Sequence, residues 1–217
     1  SSGMLQRPGC ACPLADGRWS IPEEVPRTTG ASGPELALST TGAFTVAFAN
    51  GDALYADQHR ADGWHELGGQ ISGLGATIGP WFDVAAGTGD TATAVWTEGD
   101  RLHARTTDGT SWASPAALSD PGAAAARPAL ALGPDGAGFA FWTEGGNVVK
   151  ARRLEAGTWA AAADDLTQVP TNSVSANWLM PAVSADGSAV VAWTSITPSS
   201  GGRIESARWV DGAWSAI

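Results

Sequence analysis

The 217-residue chain is poor in residues that cross-link or bind metals: it has two cysteines, three histidines and one tyrosine. Cys10 and Cys12 are two residues apart, where an extended backbone points both side chains to one face, a spacing poorly suited to a mutual disulfide. No histidine follows this pair at the short spacing of a zinc site. We therefore expect ordinary thiols and no metal or other cofactor.

Basic residues are also scarce, with 12 lysines and arginines against 22 acidic residues and a formal net charge of -10. Such a charge opposes the phosphate neutralisation that drives nucleic-acid binding and the attraction to anionic lipid. The longest apolar stretch, around Ala123 to Trp142, is interrupted by Arg127, Pro128 and Asp135, so it falls short of a membrane span. We expect neither nucleic acid nor a membrane as a partner.

Sequence motifs for several large enzyme classes are missing as well. The chain has no Gly-rich phosphate loop, no zinc-binding histidine pair and no serine-centred elbow. Ser1-Ser2-Gly3 before Met4 has the form of a cloning remnant, and no charged start with a long apolar run follows it. These absences favour a non-catalytic protein, although enzymatic activity stays open.

A repeated unit with a period in the forties occupies the chain from Pro34 to Ile217. Each unit has an opening proline with apolar alternation, a Gly-containing turn, an aromatic-tipped strand, a strand with a small residue, and a closing tryptophan. This period with about four short strands per unit predicts an all-β fold, a β-propeller of four-stranded antiparallel blades. The openings are Pro34, Pro80, Pro128 and Pro181, the second-strand aromatics Phe48, Trp96, Trp142 and Trp193, and the closing residues Trp64, Trp112, Trp159 and Trp214.

The units divide the chain into a single propeller domain over residues 10–217, after a remnant at 1–9. We predict a half blade at 10–33 and full blades at 34–79, 80–127, 128–180 and 181–217. The half blade would supply a third and an outermost strand without the inner two, which leaves a gap beside the central channel. Residues outside this sequence, a larger ring or a second chain in a homodimer could close it. We favour five blades with the first incomplete, with a four-bladed ring and an appended hairpin as the alternative.

A small residue recurs in the third strand of each unit, at Ala56, Ala104, Ala151 and Ala207. A side chain of little volume is expected where adjacent twisted sheets approach most closely. The aromatic positions then fill the wedge that widens toward the rim, so we predict that these rings form the core and do not bind ligand.

Two charged positions repeat beside the aromatic residues and are candidates for ligand binding. Glu98 and Glu144 each follow a Trp-Thr pair, and Arg105 and Arg152 each follow the small alanine, as Arg208 does in the last unit. Carboxylates and guanidinium groups can bind sugar hydroxyls while a ring covers an apolar sugar face. The alternative is that these charges pair across one hairpin or between blades.

Two tryptophans lie outside the repeat. Trp178 belongs to the longest connection between units, and Trp81 follows Pro80 where other units have Glu35, Ala129 and Ala182. We predict that both lie near the channel mouth and bind ligand together with Asp83. Folding of the loop back over the core is the alternative for Trp178.

The combination of proline, turn, Ala-Val-Trp or Val-Ala-Trp, Ala-Arg and Asp-Gly-x-Trp resembles bacterial propeller repeats of the sialidase-related type. The segment Asp108-Gly109-Thr110-Ser111-Trp112 resembles their Asp-box but is one residue shorter. The blade length is similar to that of tachylectin-like and fucose-binding lectins. The resemblance implies a secreted, lectin-like protein that binds a glycan or small sugar-like ligand without catalysis.

Two other functions stay open. A sialidase-like glycoside hydrolase would need an activated tyrosine, and Tyr55 is the only one. A glycosidase of another type would need two carboxyl groups roughly 5 to 10 Å apart, from among Asp83, Glu98 and Glu144. A protein–protein interaction scaffold is the third possibility.

Overall fold

A computed structural model describes residues 23–73, 77–167, 175–197 and 201–215. Within these ranges the chain forms 17 β-strands and no helix, arranged in four antiparallel sheets that follow one another in sequence. No helix in the described ranges has the length and apolar character that crossing a membrane requires. The predicted all-β propeller with four-stranded blades is confirmed.

Each sheet is one blade, and its strands lie side by side in chain order. Blade 1 contains β1 (Ala31–Leu38), β2 (Phe44–Asn50), β3 (Ala53–Arg60) and β4 (Gly63–Gln70). Blade 2 contains β5 (Ile78–Ala86), β6 (Ala92–Glu98), β7 (Arg101–Thr107) and β8 (Ala116–Ala117). Blade 3 contains β9 (Ala125–Leu132), β10 (Gly138–Glu144), β11 (Val148–Glu155) and β12 (Thr158–Trp159), and β13 (Asp164–Asp165) also pairs with β11. Blade 4 contains β14 (Ser175–Val183), β15 (Ala189–Thr197), β16 (Gly201–Val210) and β17 (Ala213–Trp214).

The outermost strand of blade 2 differs from the prediction. Trp112, the closing tryptophan of this unit, was expected to begin the outermost strand, but it forms only an isolated bridge with Thr107. The outermost strand is β8, which begins four residues later. The physical reason is the turn chemistry at Asp108, whose Oδ1 accepts the amides of Thr110 and Ser111 at 2.8 and 2.9 Å. These bonds hold the chain in a loop through Ser111, so regular pairing resumes later.

The core consists of the interfaces between successive blades. One apolar cluster joins blades 1 and 2, a second joins blades 2 and 3, and a third joins blades 3 and 4. The predicted role of the second-strand aromatics is confirmed, because none of the four is more than 2% exposed. The closing tryptophans are half-buried and lie nearer the rim.

The fourth blade has a different register from the other three. In blades 1 to 3 the small alanine of the third strand pairs with the residue before the second-strand aromatic, as Ala151 does with Phe141. In blade 4 Ala207 pairs with Val191, and it is Ser206 that pairs with the residue before Trp193. The predicted equivalence of Ala207 with the other alanines is therefore wrong by one residue. This offset explains why Ala207 lies seven residues before Trp214, whereas the alanines of the other blades lie eight residues before their closing tryptophans.

The predicted half blade at 10–33 lies mostly outside the described residues. Its described part, from residue 23, contacts the face of blade 1 that points away from blade 2. Arg27 donates a hydrogen bond from Nη2 to Asp57 and places its guanidinium 5.8 Å from the centre of the Tyr55 ring. The two strands predicted in this half blade stay a prediction.

Removal of the Phe141 ring tests the interface between blades 3 and 4. Phe141 is completely buried and packs edge-on against the Trp214 ring, with the two ring centres 5.9 Å apart. We expect Phe141→Ala to lower the free energy of unfolding by about 3 to 5 kcal/mol, because it leaves a cavity. Denaturant unfolding measures this loss. The control Val190→Ala, on an exposed face of blade 4, should change stability by about 0.5 kcal/mol or less. Equal losses in the two variants would contradict the proposed packing.

Candidate functional site

The repeated carboxylates accept hydrogen bonds from the buried tryptophans of the same strands. Trp142 Nε1 donates to Glu144 Oε1 at 2.9 Å, and Trp96 Nε1 donates to Glu98 Oε2 at 3.1 Å. Glu98 Oε2 also accepts the amide of Gly73, from blade 1, at 3.0 Å. A buried indole N–H without a partner costs about 1 to 3 kcal/mol, so these carboxylates have a structural role.

Blades 4 and 1 show that the carboxylate accompanies the indole. In blade 4 Trp193 Nε1 donates to Glu205 Oε2 at 3.0 Å, and Glu205 lies on the neighbouring strand β16, directly opposite Trp193. Blade 1 has Phe48 in place of tryptophan, and there Asn50 replaces the carboxylate and donates to the carbonyls of Arg27 and Thr29. Sequence reasoning missed Glu205 because it is on a different strand from its tryptophan. The signal was a buried tryptophan with no carboxylate two residues later.

The repeated arginines join each blade to the preceding one. Arg105 Nη1 donates to the carbonyl of Ile71 at 2.8 Å, and Arg152 Nη1 donates to the carbonyl of Leu118 at 2.8 Å. Each Nε also donates within its own blade, to the carbonyls of Ala113 and Ala160. Burial lowers the pKa of both guanidinium groups. The partners are backbone carbonyls, so the structure does not pair Arg105 with Glu98 or Arg152 with Glu144 as the sequence-based alternative expected.

Blades 1 and 4 lack this arginine. The corresponding position in blade 1 is Asp57, a fully buried carboxylate paired with Arg27. Burial raises the pKa of Asp57, and the hydrogen bond from Arg27 opposes that rise. Arg208 pairs with Val190, on the opposite face of its sheet from the Arg152 position, so the expected third repeat of the arginine is wrong. Ligand binding by Glu98, Glu144, Arg105 and Arg152 stays a prediction.

The innermost strands of all four blades contain a bulge. It lies opposite the second-strand aromatic residue in blades 1, 3 and 4, and opposite Thr97, the residue after Trp96, in blade 2. In blades 2, 3 and 4 the extra residues bring Trp81, Arg127 and Trp178 to corresponding places. Bulges re-aim side chains and are frequent beside binding sites. We call Trp81, Arg127 and Trp178 the bulge cluster.

Two members of the bulge cluster have a strained backbone. Arg127 has a φ of 53° and Trp178 a φ of 56°, in the left-handed region that large side chains rarely adopt. Gly33 has a similar φ of 59° at the bulge of blade 1, where glycine removes the steric cost. Strain of this kind persists where the surrounding structure fixes it, often at ligand sites.

The bulge cluster presents aromatic surface to solvent. Trp178 is 74% exposed and Trp81 is 45% exposed, so the alternative in which Trp178 folds back over the core is wrong. The Arg127 guanidinium lies 4.6 Å from the centre of the Trp81 ring and joins blades 2 and 3 by a cation–π contact. Arg127 was missed in the sequence, although it directly precedes an opening proline as an unusual charged residue.

Asp83 is a half-buried carboxylate on the innermost strand of blade 2. Its Oδ1 accepts the amide of Val84, and its Oδ2 accepts the amide of Leu130 from blade 3, both at 2.8 Å. Burial raises the pKa of Asp83 to about 6, against the lowering effect of the two amides, and the negative charge of Glu35 raises it further. The predicted site residue Asp83 is thus held rigidly with a pKa near neutrality.

Glu35 occupies the position in blade 1 that Asp83 occupies in blade 2. Glu35 pairs with Ala47 and Asp83 pairs with Val95, each the residue before a second-strand aromatic. Partial burial raises the pKa of Glu35, although the residue as a whole is exposed. No local sequence pattern marks Glu35, because the contact between adjacent inner strands joins residues far apart in sequence. We call Glu35 and Asp83 the carboxylate pair.

A separate cavity of about 460 Å³ lies between blades 3 and 4. It is at the opposite end of the blades from the bulges, since it borders the turns that follow β9 and β14. Arg153 Nη1 lies 3.1 Å from Glu155 Oε2, and the Arg153 guanidinium lies 5.6 Å from the Trp209 ring centre. Residues that line the cavity include Asp135, Phe139, Arg153, Glu155, Val183 and Asp186.

Comparison with solved structures identifies other propellers of low sequence identity. An endo-arabinase from Bacteroides thetaiotaomicron is 15% identical with a TM-score of 0.53, over 83% of this chain and 77% of that chain. AofleA from Arthrobotrys oligospora is 10% identical with a TM-score of 0.58, over 85% of this chain and 55% of that chain. At these identities the similarity establishes the fold alone. No protein-family model matches the sequence, and no curated protein matches it.

A double-mutant cycle tests the bond between Trp142 and Glu144. Glu144→Ala should cost about 1 to 3 kcal/mol of unfolding free energy, because it leaves a buried indole N–H without an acceptor. In a Trp142→Phe background the same change should cost less, with a coupling energy of at least about 0.5 kcal/mol. Denaturant unfolding of the four proteins gives these values. Strictly additive costs would show that the carboxylate does not stabilise the indole.

The raised pKa of Asp83 predicts a pH dependence of stability. The pKa of Asp83 in the folded state, about 6, exceeds the ordinary aspartate pKa of 3.8, so the folded state binds the proton more tightly than the unfolded state does. Stability should therefore fall as pH rises from about 4 to about 6 and then level off. Asp83→Asn should remove this slope in denaturant unfolding at several pH values. Asp108→Asn is the control. Hydrogen bonds from Thr110 and Ser111 lower the pKa of Asp108 to about 2, so the contribution of Asp108 to stability is lost as pH falls, opposite in sign to that of Asp83. An unchanged slope in Asp83→Asn would contradict the assignment.

Proposed function

We propose that this protein is a carbohydrate-active propeller that hydrolyses glycosidic bonds at the carboxylate pair. The observation that carries this proposal is the placement of Asp83 and Glu35 at equivalent positions on adjacent inner strands, with the pKa of Asp83 raised to about 6. Glycoside hydrolysis needs two carboxyl groups with different protonation states near neutral pH. Similarity of fold to an endo-arabinase is compatible with this reaction class.

Asp83 is suited to the role of general acid. Burial keeps its carboxyl group protonated up to about pH 6, so it can donate a proton to the leaving glycosidic oxygen. The amides of Val84 and Leu130 fix both oxygens in place, and each oxygen retains a second lone pair that can carry the proton. This rigid support is what proton transfer in a defined direction requires.

Glu35 is the second carboxylate of the reaction. It either activates a water molecule for attack on the anomeric carbon, with inversion, or attacks that carbon itself, with retention. A separation of roughly 5 Å between the two carboxyl groups gives retention, and roughly 6.5 to 9.5 Å gives inversion. The stereochemistry of the product therefore reports the geometry of the pair.

The bulge cluster is the proposed binding surface for the glycan. The exposed Trp178 ring can cover the apolar face of a sugar, and the Arg127 guanidinium can donate to hydroxyl groups. A net charge of -10 disfavours acidic glycans, so we propose a neutral substrate. Tyr55 lies on β3 of blade 1, away from the innermost strands, with the Arg27 guanidinium over its ring, and this position argues against sialidase-type catalysis. A secreted location, where polymeric glycans are met, belongs to this proposal.

A second candidate function is sugar binding without catalysis, and the cavity between blades 3 and 4 favours it. Its volume of about 460 Å³ is within the usual range for a small ligand. The Arg153–Glu155 pair offers donors and acceptors for a diol beside the Phe139 and Trp209 rings. This site would be independent of the carboxylate pair.

Turnover of neutral aryl glycosides and of soluble arabinan, galactan and xylan tests the proposed hydrolase. We expect Asp83→Asn and Glu35→Gln each to lower kcat/KM by about 100-fold or more, as for loss of a catalytic acid or base. Activity of the wild-type protein should decline above about pH 6 as Asp83 loses its proton. The control Asp211→Asn, the same substitution in a rim turn, should keep full activity.

The two candidate functions give different results in this experiment. Glycan binding without turnover, weakened by Arg153→Met and unchanged by Asp83→Asn, would replace the hydrolase with the second candidate. A cooperatively folded sample with neither turnover nor binding would overturn both.

A further inference from the structure

Blade 4 has an apolar face that is exposed in the described part of the chain. Ile204 is 73% exposed, and the same face of the sheet carries four further exposed apolar side chains. The corresponding face of blade 3 carries Phe139 and Phe141, which are almost completely buried because blade 4 packs on them. The other exposed residues of the blade 4 face are Met180, Val190, Ile196 and Val210.

The opposite wall of this opening is the face of blade 1 that carries Phe48, and this face is covered except along its innermost strand. There Phe48 is buried and Asp57 pairs with Arg27, from the segment that precedes β1. On the innermost strand, however, Leu38 is 70% exposed and Leu36 is similarly exposed. Both leucines point to the same side as Phe48, as their pairing with Phe44 and Val46 requires.

We propose that the opening between blades 4 and 1 binds the inner two-stranded hairpin of a further blade. The argument is one of continuity, since the same type of interface already joins blades 1 to 2, 2 to 3 and 3 to 4. At each of these interfaces a face with a buried second-strand ring covers the apolar face of the blade before it. The occupant must therefore present such a ring to blade 4 and small apolar side chains to Leu36 and Leu38.

The size of the occupant follows from which surfaces are bare. The segment around Arg27 already contacts the outer part of the blade 1 face, whereas the innermost strand of blade 1 is exposed. Two short strands with apolar alternation match the exposed innermost strand of blade 1 and the exposed Met180, Val190 and Ile196 on the two inner strands of blade 4. Solved propellers of similar fold also extend beyond the matched part, which spans 55% of AofleA.

Binding of a synthetic peptide tests this proposal. The probe is a fluorescently labelled peptide with the sequence of residues 78–98, which forms the inner hairpin of blade 2. We expect saturable one-to-one binding to the intact protein by fluorescence anisotropy. Met180→Lys on one wall and Leu38→Lys on the other should each weaken binding at least about tenfold. The control Ala162→Lys, in an exposed loop of blade 3, and a scrambled peptide separate specific docking from general attraction.

A fusion protein gives a second measurement that does not depend on folding of the free peptide. The same hairpin joined to the C-terminus through a flexible Gly/Ser linker should raise the midpoint of thermal unfolding, and Leu38→Lys should cancel the rise. No saturable binding together with no rise in the midpoint, or equal binding by all variants, would overturn the proposal. A stable dimer that light scattering detects and that Ile204→Lys dissociates would also overturn it, because a second copy would then cover the face.

Discussion

The fold depends on the burial of one large aromatic ring from the second strand of each blade. Where that ring is a tryptophan, its indole N–H must also have a hydrogen-bond acceptor. Trp96, Trp142 and Trp193 supply large apolar area to the interfaces between blades, and each indole N–H donates to a carboxylate. Because an unpaired buried donor is costly, the tryptophan and its acceptor form one unit. Phe48 has no such donor, and blade 1 accordingly has no such carboxylate.

This constraint changes the interpretation of the charged residues. The glutamate and arginine of blade 2, Glu98 and Arg105, have counterparts in blade 3. A sugar site repeated in each blade would show the same pattern. In the structure Glu98 accepts from Trp96, and Arg105 donates to carbonyls of the preceding blade. A repeat of charged residues therefore reflects the repeated interface between blades. Arg127 occurs in one blade only and is therefore a better candidate for function, because the architecture alone does not require it.

The inner strands combine structural and functional features. Each contains a bulge at or next to the position of the buried ring, and at Arg127 and Trp178 the chain adopts a left-handed conformation that glycine adopts at Gly33. The strained positions carry an arginine stacked on one indole and a second indole exposed to solvent. Asp83 links blades 2 and 3 through its bond to Leu130 while its pKa is raised to about 6. The same strands thus hold the sheets together and bear the proposed catalytic groups.

The sequence by itself determined the strand order, the four blades and the rings of the core, because these depend on local alternation, turn residues and a regular period. Departure of Trp81 and Trp178 from the repeat indicated exposed rings, although the sequence left open a Trp178 that folds back over the core. Tertiary structure decided the partners of Glu98 and Arg105, the shifted register at Ala207 and the position of Glu35 near enough to Asp83 to raise its pKa. These features join strands that are distant in sequence or depend on a one-residue offset between neighbours. Only the packed blades bring such groups together, so no local pattern records them.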